Sequence, residues 1–450
     1  MRVRTDADMT KGSVWRHLLS FSVPMAIGLL FQQLYNTVDT VVVGQFVGKE
    51  AQAAVGSTGS IINTIVGFCA GLATGASVVI SQHYGAHDQK ELSLAVHTSI
   101  CLTFIISVIS TVLGILIIDP MLRFMRTPEN VMDEAHSYLM IYFSGVIGVL
   151  FYNMGSGILR AVGDSRRPLM FLMMSALLNT ALDLLFVLRF NMGVEGVAYA
   201  TVLSQIISAA LIIVTLMREH SAYGIRLRLL RIDMSNLRSI LRIGLPSSIQ
   251  AAVTSFSNVF VQSYINFFGD ACMAGYGIYN KVDSFALIPV QAIGMSSTTF
   301  VGQNWGARNI RRANRGVRSA LIMSLATTVV MGTAIILLSR QLLGFFSPEE
   351  DVVAYGQRFV RIVTPFYLML CFTQIIPGAL RGIGDASVPT LIMLFSFVIF
   401  RQIYLAVTSW LGLGFIAVAL AYPIGWIVCT VLLIIRYKTS PLSRKEPVHV

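Results

Sequence analysis

Twelve apolar runs of about 20 residues or more follow one another through this chain, and no polar interruption is longer than residues 218–236. A helix of that length is what the hydrocarbon core of a bilayer demands. The runs lie near 17–45, 52–81, 92–118, 134–158, 167–189, 194–217, 237–267, 272–302, 317–339, 352–379, 388–411 and 413–435. Charge is scarce to match: 12% of residues are charged, where a soluble domain carries about 25%. Mean hydropathy is +0.71. A soluble enzyme, a secreted disulfide scaffold and a disordered chain are excluded. The expected fold is an all-α polytopic membrane protein of twelve transmembrane helices.

Smaller signals fit that frame. The five cysteines, Cys69, Cys101, Cys272, Cys371 and Cys429, all fall in apolar stretches and are odd in number, so no disulfide framework is expected. The first apolar run is too long for a signal-peptide core and is expected to stay as a span. No G-x-x-x-x-G-K-[ST] loop is present, so ATP hydrolysis is not expected. Basic residues concentrate in alternate loops. Only Lys49, Arg123, Arg126, Arg189, Lys281, Arg340, Arg358, Arg361 and Arg401 lie outside the loops and tails of the terminal side. The positive-inside rule then puts both termini in the cytoplasm of a cell (plasma or inner) membrane. The basic run from Arg308 to Arg318 reads as a membrane face, and no nucleic-acid partner is expected.

The chain also repeats itself. Gln82-His-Tyr-Gly85-Ala86 recurs as Gln303-Asn-Trp-Gly306-Ala307, and Leu159-Arg160-Ala-Val-Gly163-Asp164 recurs as Leu380-Arg381-Gly-Ile-Gly384-Asp385, both 221 residues on. Pro24 matches Pro246 at an offset of 222. Six spans per repeat give both halves the same orientation, so two lobes related by a pseudo-twofold axis along the membrane normal are expected. The expected division is 1–220 for the N-lobe and 221–450 for the C-lobe. Repeats of this kind are common in transporters that rock one half against the other.

Ionisable side chains at bilayer depth are costly and mark function by default. In the first half these are Asp39 and Asp183. At ~1.5 Å per residue, Asp39, Asp183 and Thr201 each lie roughly 10 Å below the outer edge. Asn36 stands one turn from Asp39, and Asn179 one turn from Asp183, each on its carboxylate's face. Two carboxylates, two amides and a hydroxyl make a hard oxygen set, suited to H⁺ or Na⁺ and not to a soft metal. At the repeat offset Asn179, Asp183 and Thr201 become Phe400, Tyr404 and Tyr422, so the fold itself does not require them. In the second half, Asp283 with Lys281 or Arg401 reads as an internally neutralised network, the alternative being a second ion or substrate-recognition site. Pro24 is a candidate hinge in the first span. Met170, Met173 and Met174 suggest a pliable apolar surface.

Together these features resemble the multidrug and toxic compound extrusion (MATE) transporters over essentially the whole chain. The likeness rests on the two six-helix halves, the repeated L-R-x-x-G-D and Q-x-x-G-A motifs, and Pro24 fifteen residues before Asp39. The Asp39, Asn179, Asp183, Thr201 set is similar to the cation site of the DinF-like branch. Around Thr254 and Leu370 the acids of the NorM-like branch are missing. The resemblance implies H⁺- or Na⁺-driven export of cationic or amphipathic organic compounds by a monomer in contact with membrane lipids, with no cofactor and no catalytic residues. Gln32, Tyr35, Asn36 and Asn153 would line the N-lobe chamber, with Met173 joining them. Arg160, Asp164, Arg381 and Asp385 would clamp loops at helix ends. The rival reading is a lipid-linked precursor flippase of the same superfamily. A polytopic enzyme is disfavoured, because the histidines form no nucleophile–base pairing.

Overall fold

A computed structural model describes residues 8–125 and 127–443. The side chains of Asn36, Asp39 to Val42, Lys49, Glu50, Gln52, Ala53, Ser57, Ser60, Ser255, Phe256 and Val259 lie outside that description. The described chain is helical, with no strand among the described residues. In the first half the helices are α1 (Val14–Val42), α2 (Lys49–Gly85), α3 (Gln89–Phe124), α4 (Glu129–Ser144), α5 (Val146–Ala161), α6 (Arg166–Leu184) and α7 (Gly193–Arg218). The second half holds α8 (Met234–Asn266), α9 (Asp270–Gly306), α10 (Ile310–Leu337), α11 (Ser339–Gly344) and α12 (Glu350–Val363). It continues with α13 (Tyr367–Gly382), α14 (Ser387–Leu394), α15 (Arg401–Trp410), α16 (Phe415–Ala419) and α17 (Ala421–Thr439).

Among the described residues, ten helical stretches are long and apolar enough to cross a bilayer, and the pair α4 and α5, bent by 48°, makes an eleventh. The bend sits at Gly145, where a Cβ would come within 2.1 Å of Val202 Cγ1. The seventh expected span, α8, is long enough at 33 residues but carries Ser247, Ser248, Gln250, Thr254 and Ser257, which dilute its apolar character. The tenth is interrupted by the short turn Thr364–Phe366, which contains Pro365. All five cysteines are free thiols, four of them buried.

The chain falls into two compact units. One contains Ile27–Ser248, the other Met9–Ala26 with Ile249–Val450. Each switch of unit therefore lies two residues beyond one of the matched prolines, Pro24 and Pro246. Within the first unit, α2 and α8 cross backbone to backbone. A Cβ on Gly71 would stand 2.4 Å from Ser248 N, and one on Gly75 2.5 Å from Ile240 O. This is the small-residue packing that membrane helices use for close approach. In the second unit, Ser296 on α9 donates to Leu18 O of α1 at 3.4 Å.

Both Q-x-x-G-A motifs tie down the lead-in to a proline-bearing helix. In the second unit Gln303 Oε1 accepts from Met9 N at 3.0 Å, and Asn304 Nδ2 donates to Met9 O at 3.2 Å. Arg312 adds Nε to Met9 O (3.0 Å), Nη1 to Gly12 O (2.8 Å) and Nη2 to Lys11 O (2.7 Å). In the first unit His83 Nε2 lies 3.1 Å from Asn236 Oδ1, and Asn236 Nδ2 donates to Glu91 Oε2 at 3.0 Å. At the repeat offset His83 matches Asn304, and Glu91 matches Arg312. The positions kept their task and changed their chemistry.

The glycine and aspartate of each L-R-x-x-G-D motif close a helix end. Gly163 (φ 89°) and Gly384 (φ 91°) take the left-handed conformation that ends a helix, which a side chain would strain. Asp164 Oδ1 accepts from the amides of Arg166 (3.0 Å) and Arg167 (3.1 Å), and Arg167 bridges Asp164 to Glu219. Asp385 instead receives Arg436 of α17, from Nε at 2.9 Å and Nη2 at 2.6 Å.

Candidate functional site

The first unit encloses a cavity of about 380 Å³. Its lining includes Gln32 and Tyr35 from α1, Asn63 from α2, Tyr138 and Tyr142 from α4, and Thr201 and Gln205 from α7. Gly56 and Gly59 of α2 open onto it, and a Cβ on either would meet nothing within 4 Å. The two tyrosines of α4 stack, with centroids 6.5 Å apart and planes at 19°. Such ring faces attract organic cations. The volume is at the small end of the range that accommodates drug-sized ligands.

Behind the cavity wall, α6 and α7 bury a polar layer. Asn179 and Asp183 are fully buried and Thr201 is 5% exposed. Asn179 Nδ2 donates to Thr201 Oγ1 at 3.5 Å, while Asn179 Oδ1 is buried with no hydrogen-bond partner among the described residues. A buried carbonyl oxygen is normally paired, and a hard cation is one partner that would satisfy it. One turn earlier, Ser175 Oγ donates to Ser204 O at 3.1 Å, so a second α6–α7 bond sets the register. A five-residue π segment, Leu185–Arg189, follows α6 immediately after the acid, and a second, Val43–Val47, follows α1. Wide π turns of this kind recur at functional sites because they re-aim side chains within a helix. Val43, Val187, Val194 and Val197 pack together there as an apolar cluster with Tyr138.

The expected site residues divide as follows. Gln32, Tyr35 and Thr201 share the cavity, and Asn179 touches Thr201. Asn153 is half-buried and donates to Val149 O at 2.9 Å; Val149 lines the cavity, but Asn153 does not. Met173 is half-buried on α6 and is not part of the lining. Pro24 is half-buried within α1, which runs on as helix through it. The side chains of Asp39 and Asn36 lie outside the described residues. Asn63 and Gln205 were not singled out from sequence. Gln205 could have been found, since it is one turn beyond Thr201 on the same face.

The network expected in the second unit is different from its reading. Neither Lys281 nor Arg401 forms an ion pair with Asp283. The carboxylate accepts from the phenols of Tyr279, at 3.3 Å, and Tyr367. Lys281 is exposed and stands over the Phe346 ring at 5.5 Å. Arg401 donates from Nη2 to Ser257 Oγ (2.8 Å) and Asn258 Oδ1 (2.9 Å), and lies over the Tyr422 ring at 5.1 Å. Phenols and amides supply the polar partners that opposite charges were expected to provide.

Comparison with known proteins follows the same lines. The MatE family model matches twice, over residues 24–185 and 246–408, so its two matches begin at the two equivalent prolines. The chain is 30% identical to the probable multidrug resistance protein YoeA of Bacillus subtilis, over 97% of this chain and 96% of that protein. It is 29% identical to the probable multidrug resistance protein YpnP of the same organism, over 96% of each. A solved structure described as the outward-facing conformation of a multidrug resistance MATE family transporter superposes with a TM-score of 0.89. It has 26% identity and covers 97% of this chain and 98% of that one.

Proposed function

The chain belongs to the MatE family, and from that premise we propose that it exports cationic or amphipathic organic compounds in exchange for H⁺ or Na⁺. It is a multi-pass membrane transporter and not an enzyme, and efflux of drugs and toxins is the activity of its family. In this reading Asp39 and Asp183 take the coupling ion, with oxygens of Asn36, Asn179 and Thr201 completing its shell. The cavity of Gln32 and Tyr35 takes the organic substrate, with Asn153 and Met173 flanking it, and Pro24 is the hinge. The N-x-x-x-D spacing with Thr201 supports the DinF-like branch. The protein acts as a monomer in the cell membrane with both termini cytoplasmic, and residues 1–220 and 221–450 form its two lobes.

The observation that carries this reading is Asn179 Oδ1, buried and unpaired beside Thr201 at the wall of a cavity. An ion bound there drives transport only if it binds one conformation more tightly than the other. None of the cavity's described lining residues is basic, which disfavours the anionic headgroup of a flippase substrate.

The test is efflux of a fluorescent cationic dye from proteoliposomes under an imposed ΔpH alone or ΔpNa alone. Asp183→Asn and Asp39→Asn should each lower gradient-driven transport at least tenfold while leaving Tm within a few degrees of the parent. Undiminished transport by both variants sinks the ion-site assignment. The gradient that drives the parent identifies the ion.

A further inference from the structure

The second unit carries a feature to which the proposed transport assigns no part. An open groove of about 780 Å³ runs along its surface, between α12, the end of α15 and α16. Arg358 and Arg361 of α12 both line it, three residues apart and so on one face. Both are exposed, yet both lie in the membrane-crossing stretch Glu350–Gly382. Among the described residues no carboxylate is within 4 Å of either, and no Asp or Glu lines the groove. Arg358 lies over the Tyr355 ring, 5.4 Å from its centroid. The rest of the wall is apolar, with Ile362, Phe415, Ile416 and Leu420 prominent, and Ile416 is 63% exposed.

Two guanidinium groups without a protein counter-charge are costly at bilayer depth. Helical rise places their Cα atoms about 12 and 16 Å from the start of α12. Side chains lean toward a helix's N-terminus, so both reach back toward the membrane surface. The turn that follows Trp410, itself 84% exposed at the end of α15, supplies Leu413 and Gly414 to the groove. Exposed tryptophans at span ends mark the headgroup level. The groove thus presents paired positive charge near that level and an apolar floor beneath it.

We propose that this groove holds an anionic phospholipid, its phosphodiester on Arg358 and Arg361 and an acyl chain along Ile362, Phe415, Ile416 and Leu420. Guanidinium groups bind phosphate oxygens through bidentate, charge-assisted hydrogen bonds. A zwitterionic lipid would bring its own cation to the same place and gain less. The site is independent of the ion and drug chamber of the first unit.

The test is native mass spectrometry of the purified full chain titrated with phosphatidylglycerol, phosphatidylcholine or inorganic phosphate. The parent should retain one phosphatidylglycerol at least fivefold more tightly than phosphatidylcholine. Arg358→Gln with Arg361→Gln should abolish that preference. Replacing both by Lys should keep part of it, and Arg123→Gln with Arg189→Gln, two exposed charges elsewhere, should keep all of it. Quenching of the parent's tryptophan fluorescence by brominated phosphatidylglycerol, diminished in Trp410→Phe, supports the site without touching the arginines. Equal retention of the two lipids, a preference that survives the double Gln variant, occupancy by inorganic phosphate alone, or no Trp410 component in the quenching each overturns the proposal.

Discussion

The guanidinium of Arg312 and the carbonyl of Met9, 303 residues apart in sequence, meet at 3.0 Å. The same side chain also holds the carbonyls of Lys11 and Gly12, so one residue fixes the lead-in to α1 at three points. Hydrogen bonds to a charged group contribute about 1.5–3 kcal/mol each when well shielded. Partial exposure reduces that here. Arg312→Ala is expected to cost about 2–3 kcal/mol in total and to lower Tm by several degrees. It should also make a cysteine placed at Met9, now 1% exposed, reactive to a polar maleimide. Arg312→Lys should rescue only part, because an ammonium cannot span three carbonyls as a planar fork does.

Two glycines on α2 make a paired test of packing against space. A Cβ at Gly75 would stand 2.5 Å from Ile240 O, a backbone atom that cannot rotate away. Gly75→Ala should therefore destabilise by about 1–3 kcal/mol, the usual cost of overpacking. Gly59, sixteen residues earlier, faces the cavity with nothing within 4 Å. Gly59→Ala should leave Tm unchanged or raise it slightly through helix propensity. Gly59→Leu should fold and yet impair dye efflux by filling the chamber. Thermal unfolding and transport, measured on the same preparations, separate the two sites.

Asp233 supplies a pH dependence that can be assigned to one group. It precedes α8 and accepts through Oδ1 from Asn236 N at 2.9 Å and Asn236 Nδ2 at 3.0 Å. The hydrogen bond from the Asn236 amide, then that from its side chain, holds this carboxyl below the usual range for aspartate. A depressed folded-state value means the stabilisation is present above the unfolded value near ~4. It is lost as pH falls through the folded value. The difference in Tm between the parent and Asp233→Asn should be constant from pH 5 to 7 and shrink below about pH 4. An asparagine still caps the helix, so a difference that does not change with pH would show that the carboxylate's charge plays no part.

The membrane spans were legible because bilayer thickness writes itself into sequence as run length. What depends on who meets whom was less so. The bend between α4 and α5 has no proline; it follows from Gly145 yielding room to Val202, a contact no local pattern encodes. Asn63 gives no signal in the sequence, because uncharged polar residues are tolerated in spans; Gln205 gives only its place one turn beyond Thr201. Depth alone suggests Lys281 or Arg401 as the partner of Asp283. Depth does not fix azimuth, and around their helices the three point to different neighbours. Asn179 and Thr201 meet at 3.5 Å, a pairing their similar depth on consecutive spans made legible.

Translation order gives the lead-in straps a further meaning. Residues 9–12 leave the ribosome long before Gln303, Asn304 and Arg312, which secure them and are made some three hundred residues later. This lead-in to α1 waits without those partners while most of the protein is inserted. By contrast, His83 and Glu91 are in place before Asn236 arrives. The two halves share a template, yet one matures as it is synthesised and the other only at closing time, so a nascent chain halted before Arg312 should display a protease-sensitive front end that the finished protein has put away.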